Sequence, residues 1–304
     1  MATTVTWKGV MPALMTELHP DGTIDYPATA RHMEACLEAG VTGFIMLGTL
    51  GENSSLQRRE KIDVVKMALE TVGGRVPVLA GAAEYTTAEA VEFARDMEKT
   101  GADGLMVLPA MVYQQDQREA VAHFKAVANA TALPIMIYNN PVSYKVDLLP
   151  EAFAELAECQ TIVAVKESSH DSRRITDMIN RLGDRYTLFC GVDDLALENM
   201  LFGAVGWVSG MANPFPVESV ALYRLAVERR VDEAVALYRW FMPLLHLDVH
   251  VKLVQYIKLA NQLTGMGAEW VRPPRLPLVG AEREQVTRIV QAALANRPQL
   301  PPLV

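Results

Sequence analysis

Thr161-Ile162-Val163-Ala164-Val165-Lys166-Glu167-Ser168 runs from uninterrupted apolar, largely β-branched residues straight into a lysine. Such a run reads as a central strand of a parallel sheet, covered on both faces, because a half-exposed strand would alternate apolar with polar. A lysine closing a buried strand loses hydration, and loss of hydration turns its amine into a nucleophile near neutral pH. On this stretch alone, a snorkelling or ion-paired lysine is the better explanation. The rest of the chain separates the two.

Outward from Lys166, apolar runs alternate with segments of helical spacing. Strands are expected at 10–14, 41–47, 76–80, 104–108, 135–138, 162–165, 187–190 and 205–209. Between them lie patterns such as Ile62, Val65, Leu69 and Val72, and Gly40, Gly73, Gly101 and Gly183 stand where left-handed helix caps are wanted. Eight strands with helical crossovers point to an α/β fold, a TIM (β/α)8 barrel, with its active site at the carboxyl ends of the strands. A doubly wound open sheet is the alternative, but no GxGxxG turn follows the first strand. After about residue 213 strand signals stop, and 217–229, 231–247, 251–264 and 282–295 read as helices. The expected organisation is a barrel over 1–229 and a C-terminal helical extension over 230–304 packed on it.

Composition narrows the function classes. The 304 residues are 50% hydrophobic and 21% charged, which suits one large core. A formal charge of −8 argues against nucleic acid and anionic membrane as partners. No apolar segment is long enough to span a bilayer, and Met1 to Trp7 lack a basic, then apolar, leader pattern. Three widely spaced cysteines without a CxxC pair fit a reducing cytoplasm, so a cytoplasmic globular protein is expected.

Three segments are expected to end at one face of the barrel. Leu47-Gly48-Thr49-Leu50-Gly51-Glu52-Asn53-Ser54 follows the second strand, and its backbone amides and hydroxyls can bind a carboxylate or relay a proton. As an isolated turn it reads first as an ordinary helix-capping loop. Tyr138-Asn139-Asn140-Pro141 ends the fifth strand and offers a phenol for proton transfer; a half-buried rim tyrosine is the plain alternative. Lys166 ends the sixth. The three motifs in this order are far more specific than any one of them.

Together with Gly191-Val192-Asp193-Asp194 and Gly206-Trp207-Val208-Ser209-Gly210, these motifs resemble the dihydrodipicolinate synthase / N-acetylneuraminate lyase family over nearly the whole chain. The resemblance implies a homo-oligomer, usually a tetramer, though a dimer is also compatible. It implies a Schiff base between Lys166 and a 2-oxo acid, proton transfer by Tyr138 and assistance by Thr49. Gly48 and the backbone amides around Leu50 would hold the substrate carboxylate, and Val208 would contact the oxo acid. No cofactor and no metal are implied, since the lysine itself carries the substrate.

Departures from the family pattern bear on substrate. Ser143 stands where dihydrodipicolinate synthases have an arginine for a second carboxylate, and serine cannot replace a bidentate guanidinium. Pro109-Ala110-Met111-Val112-Tyr113 lacks their paired tyrosines; Tyr113 is left as the substitute. With Leu245-His246-Leu247-Asp248, these features most resemble the Δ1-pyrroline-4-hydroxy-2-carboxylate deaminases of hydroxyproline breakdown. A dehydratase or aldolase of 2-keto-3-deoxy sugar acids, a dihydrodipicolinate synthase-like activity and a catalytically silent ligand-binding barrel are the alternatives.

The other candidates carry less. Asp193 can hold substrate hydroxyls or cap a helix, and Ser168 and Ser209 are expected contacts for substrate oxygens. His246 and His250, four apart, have a spacing seen in metal sites, but no HExxH glutamate accompanies them and a surface role is the simpler reading. Glu52 and Glu167 are expected to be structural ion-pair or capping partners.

Overall fold

The computed structural model describes residues 5–302. Its strands are β1 (Gly9–Pro12), β2 (Phe44–Met46), β3 (Val78–Ala82), β4 (Gly104–Val107), β5 (Ile135–Asn139), β6 (Ile162–Glu167), β7 (Thr187–Cys190) and β8 (Gly206–Ser209). The strands pair in parallel in chain order from β2 to β8, and β8 pairs with β1. The remaining seam is stitched by Thr42 N–H to the Val10 carbonyl and Leu14 N–H to the Ile45 carbonyl, each at 2.9 Å. The eight-stranded TIM barrel read from the sequence is therefore the fold. Every residue of β6 is buried, one set facing the barrel interior and the other the helices, which is why its sequence shows no alternation.

Helices α1 (Tyr26–Glu38), α2 (Arg58–Val72), α3 (Thr87–Thr100), α4 (Gln117–Ala128), α5 (Pro141–Tyr144), α6 (Pro150–Leu156), α7 (Arg173–Leu182), α8 (Ala196–Leu201) and α9 (Pro216–Val227) make the crossovers and the outer ring. Local chemistry sets their ends. In α3, Thr86 and Glu89 form a reciprocal capping box, and Gly101, at φ +87°, closes the helix in the left-handed region. β7 matches its expected run, β2 is four residues shorter than its own, and the ends of the other strands differ by at most two residues. Their ends are fixed by pairing with neighbours, which periodicity does not encode.

Three further helices, α10 (Val231–Leu245), α11 (Leu253–Thr264) and α12 (Gly280–Ala295), form the C-terminal helical part. Their apolar faces join one hydrophobic core with the barrel, through residues such as Phe241, Ile257 and Val290. One buried ion pair pins α11 to the strand ends. Lys258 Nζ donates to Glu52 Oε1 at 2.7 Å and to the carbonyls of Thr16 and Trp270 at 2.9 and 2.7 Å. Both side chains are fully buried, so Glu52 is a structural partner of Lys258. No helix among the described residues is long and apolar enough to cross a membrane.

Candidate active site

At the carboxyl ends of the strands lies a cavity of about 520 Å3, within the range of small-molecule sites. The β5–β6 register places Tyr138 directly beside Lys166. Lys166 Nζ sits 3.8 Å from the centroid of the Tyr138 ring, over its face. Burial holds the amine below the ordinary lysine range, because the ammonium form is the one that loses hydration. Gly191 provides the space. An ideal Cβ there would come within 2.6 and 2.7 Å of Lys166 Cγ and Cε, and within 2.1 Å of Ser168 Oγ.

Tyr138 is held from its own strand end. Asn140 Nδ2 donates to the Tyr138 hydroxyl at 2.9 Å, while Asn140 Oδ1 accepts from Ser143 N–H and so caps α5. Burial pushes the phenol up to about 12, so it is protonated at neutral pH. The short helix α5 then ends at Lys145, whose φ of +62° lies in the left-handed region. That turn leaves Tyr144 on the cavity wall, with its ring edge-on to Tyr138 at 5.6 Å and its hydroxyl 2.5 Å from Thr49 Oγ1. Thr49 thus pairs with Tyr144, where sequence reasoning had grouped it with Tyr138. Tyr144 went unnoticed because nothing in a Tyr-Asn-Asn-Pro motif says where the chain turns six residues on.

The loop carrying Thr49 is held in an uncommon shape. Leu47 and Glu52 both have positive φ, at +58° and +54°, and Asn53 Nδ2 anchors the loop to the Gly81 carbonyl at 3.0 Å. Gly48, Thr49 and Leu50 line the cavity. Neither the Thr49 nor the Leu50 amide has a hydrogen-bond partner among the described residues, which leaves both donors to a ligand. Ser168 Oγ is likewise buried, unpartnered and at the cavity wall, and Val208 contributes apolar surface there.

Two expected contacts lie elsewhere. Asp193 is fully buried behind the wall, where its oxygens accept from Trp207 Nε1 at 2.8 Å, Ser209 Oγ at 3.2 Å and Met211 N–H at 2.6 Å. Ser209 is fully buried too, its hydroxyl engaged by Asp193 and Ala212 N–H. Neither lines the cavity. They brace the turn after β8, because hydroxyls and amides nearer than any substrate satisfy the carboxylate. Tyr113 is more than half exposed and donates to Glu119 at 2.6 Å, so it takes no part in the cavity. Glu167 is buried against Asn139 Nδ2 and Ser169 N–H.

The carboxyl that does reach the cavity is Asp248, in the turn between α10 and α11. Gly210 admits it: an ideal Cβ at 210 would lie 2.1 Å from Asp248 Oδ1. His250 lines the rim, stacked on Tyr256 with ring centroids 4.4 Å apart, while His246 bonds Asp194 at 2.9 Å. Helix α10 has ended by then, so the two imidazoles do not share a helix face, and no cluster of metal-type ligands occurs among the described residues.

Comparison with known proteins places these features. The model of the dihydrodipicolinate synthetase family matches residues 6–293. A 4-hydroxy-tetrahydrodipicolinate synthase of Pelobacter propionicus is 32% identical over 286 residues, covering 94% of this chain and 98% of the relative. Dihydrodipicolinate synthase from Aquifex aeolicus superposes with a TM-score of 0.90 at 30% identity, over 97% of this chain and all of that one. A prophage protein of E. coli K12 from the same family, solved with pyruvate, gives 0.89 at 28% identity over 95% and 99%.

Proposed function

The chain belongs to the dihydrodipicolinate synthetase family, whose members are class I aldolase-type lyases, and we propose that it is a Schiff-base lyase and deaminase of Δ1-pyrroline-4-hydroxy-2-carboxylate. The observation that carries the choice of substrate is the make-up of the cavity wall. It combines a dehydrated lysine, two tyrosine hydroxyls and one carboxyl with Lys145 and two histidines, and no arginine lines it among the described residues. A second carboxylate would find no bidentate guanidinium there, only Ser143 and Lys145, whose Nζ already donates to the Val142 carbonyl at 2.8 Å. A cyclic imine with one carboxylate and a hydroxyl meets no such conflict.

In this reading Lys166 attacks C2 of the imine, and the ring opens to a lysine Schiff base with a free amine on C5. The single carboxylate lies against the Thr49 and Leu50 amides and the Ser168 hydroxyl. The iminium acidifies C3, and the C3 proton leaves through the tyrosine hydroxyls, each passing its own proton on, to the free C5 amine, which gives an enamine. Its electron pair expels the C4 hydroxyl, which leaves as water with one added proton. A proton shift from C5 to C3 leaves an enamine across C4 and C5, and a second shift, from its nitrogen to C4, places an imine on C5. Water then releases ammonia from C5 and frees the lysine, giving 2-oxoglutarate semialdehyde. Over the cycle one water is consumed per ammonia released.

The names of the relatives favour a second reading, 4-hydroxy-tetrahydrodipicolinate synthase activity. One experiment separates them: ammonia release from the freshly generated cyclic imine, run beside condensation of pyruvate with aspartate semialdehyde. Ammonia and semialdehyde in equal amounts, both abolished in Lys166→Ala, are expected. Condensation without ammonia release would overturn the deaminase.

A further inference from the structure

Asp248 has no counterpart in the steps above, yet its placement is built. The C-terminal helical part delivers it across the turn between α10 and α11, and Gly210 is bare of a side chain where the carboxyl lies. Its carboxyl has the Asp193 backbone amide as a donor and no side-chain donor among the described residues. Asp193, the neighbouring acid, is saturated by donors from the β8 turn. Asp248 instead faces the cavity that holds Lys166, Tyr138 and the Tyr144–Thr49 pair.

We propose that Asp248 is the general acid of the elimination step, handing its proton to the hydroxyl that leaves C4 of the lysine-bound substrate. The inference rests on the lyase reading above but not on its cyclic substrate: any 4-hydroxy-2-oxo acid held on Lys166 presents the same leaving group. The step balances. The enamine pair forms the C3–C4 double bond and restores the iminium, the C4–O bond breaks, and the Asp248 proton completes a water molecule. Asp248 is left as a carboxylate, which the proton earlier taken from C3 can recharge. Burial and the Asp193 carboxyl push Asp248 well above the usual carboxylate range against the pull of Lys166, so it keeps its proton to higher pH than an ordinary carboxyl. The tyrosine hydroxyls, held high by burial, serve the C3 proton and are the weaker acids.

The test is Asp248→Asn, read by three assays on the full-length enzyme. Borohydride trapping of pyruvate and exchange of its methyl protons with deuterium report Lys166 and C3 proton transfer. Turnover of the cyclic imine and of a 2-keto-3-deoxypentonate reports elimination. Trapping and exchange should stay within about threefold of wild type, while elimination falls on the order of 10²-fold or more, with partial recovery in Asp248→Glu. Elimination at the wild-type rate would overturn the proposal, as would parallel loss of exchange, which would make Asp248 a partner of Lys166 alone. If wild type is silent on the imine but dehydrates the keto-deoxy acid, the deaminase reading fails and the Asp248 comparison is made on that substrate. If wild type dehydrates neither, both fall.

Discussion

Gly191→Ala tests whether the position of the Lys166 side chain governs the chemistry. In the wild type, the ideal Cβ of residue 191 would lie 2.6 and 2.7 Å from Lys166 Cγ and Cε. Carbon atoms prefer about 3.5–4.0 Å, so the added methyl displaces the lysine by roughly 1 Å. Ser168 Oγ, at 2.1 Å, must move with it. A shift of about 1 Å in a reacting group costs on the order of 10²-fold in rate, or ~2.7 kcal/mol of barrier. Overpacking of this kind costs about 1–3 kcal/mol of stability, so the variant should fold. The assay is the rate of irreversible borohydride trapping of pyruvate on Lys166, followed by intact mass, with a melting curve as the folding control. Trapping at the wild-type rate in a folded variant would refute the claim that the empty space at 191 positions the nucleophile.

Three further outcomes follow from the geometry. Tyr144→Phe should lower C3 exchange by about 10²-fold, because it removes the hydroxyl paired with Thr49; exchange unchanged from wild type would remove Tyr144 from the relay. Lys258→Met should cost about 3 kcal/mol in urea unfolding by leaving buried Glu52 only Arg275, at 3.7 Å, and the Arg272 amide, and the double variant Glu52→Gln/Lys258→Met should regain much of it; additive losses would deny the coupling. The lowered Lys166 pKa means its neutral form persists to lower pH. Trapping should therefore rise with pH through an inflection below the ordinary lysine value of about 10.4, and an inflection at or above that value would contradict the dehydrated site.

The barrel and the identity of its lysine strand were legible because both are local. A strand buried on both faces must be apolar along its length, and Ile162 to Val165 comply; alternation of eight such runs with helical spacing leaves few topologies. Lys166 and Tyr138 followed, since residues ending strands five and six of a closed parallel barrel are neighbours whatever else the chain does. Glu52 as an ion-pair partner was foreseeable in kind, although not its partner Lys258, which lies 206 residues away.

What sequence could not decide was which polar group faces the substrate and which faces another donor. Asp193 and Ser209 lie at or just past strand ends while Asp248 lies among the C-terminal helices, and nothing in the sequence ranks Asp248 above the other two as a substrate contact. The fold sends the first two into the β8 turn, where nearby amides and the Trp207 ring nitrogen satisfy them, and leaves the third open to the cavity. Tyr144 reaches Thr49 only because Asn140 starts a single turn of helix and Lys145 ends it in the left-handed region. A buried polar group is committed by whichever partner packing brings within about 3 Å, and that distance is set between segments far apart in the chain. Secondary structure and the place of Lys166 at its strand end were thus written in local pattern, while the polar partners around the cavity were written in tertiary contacts.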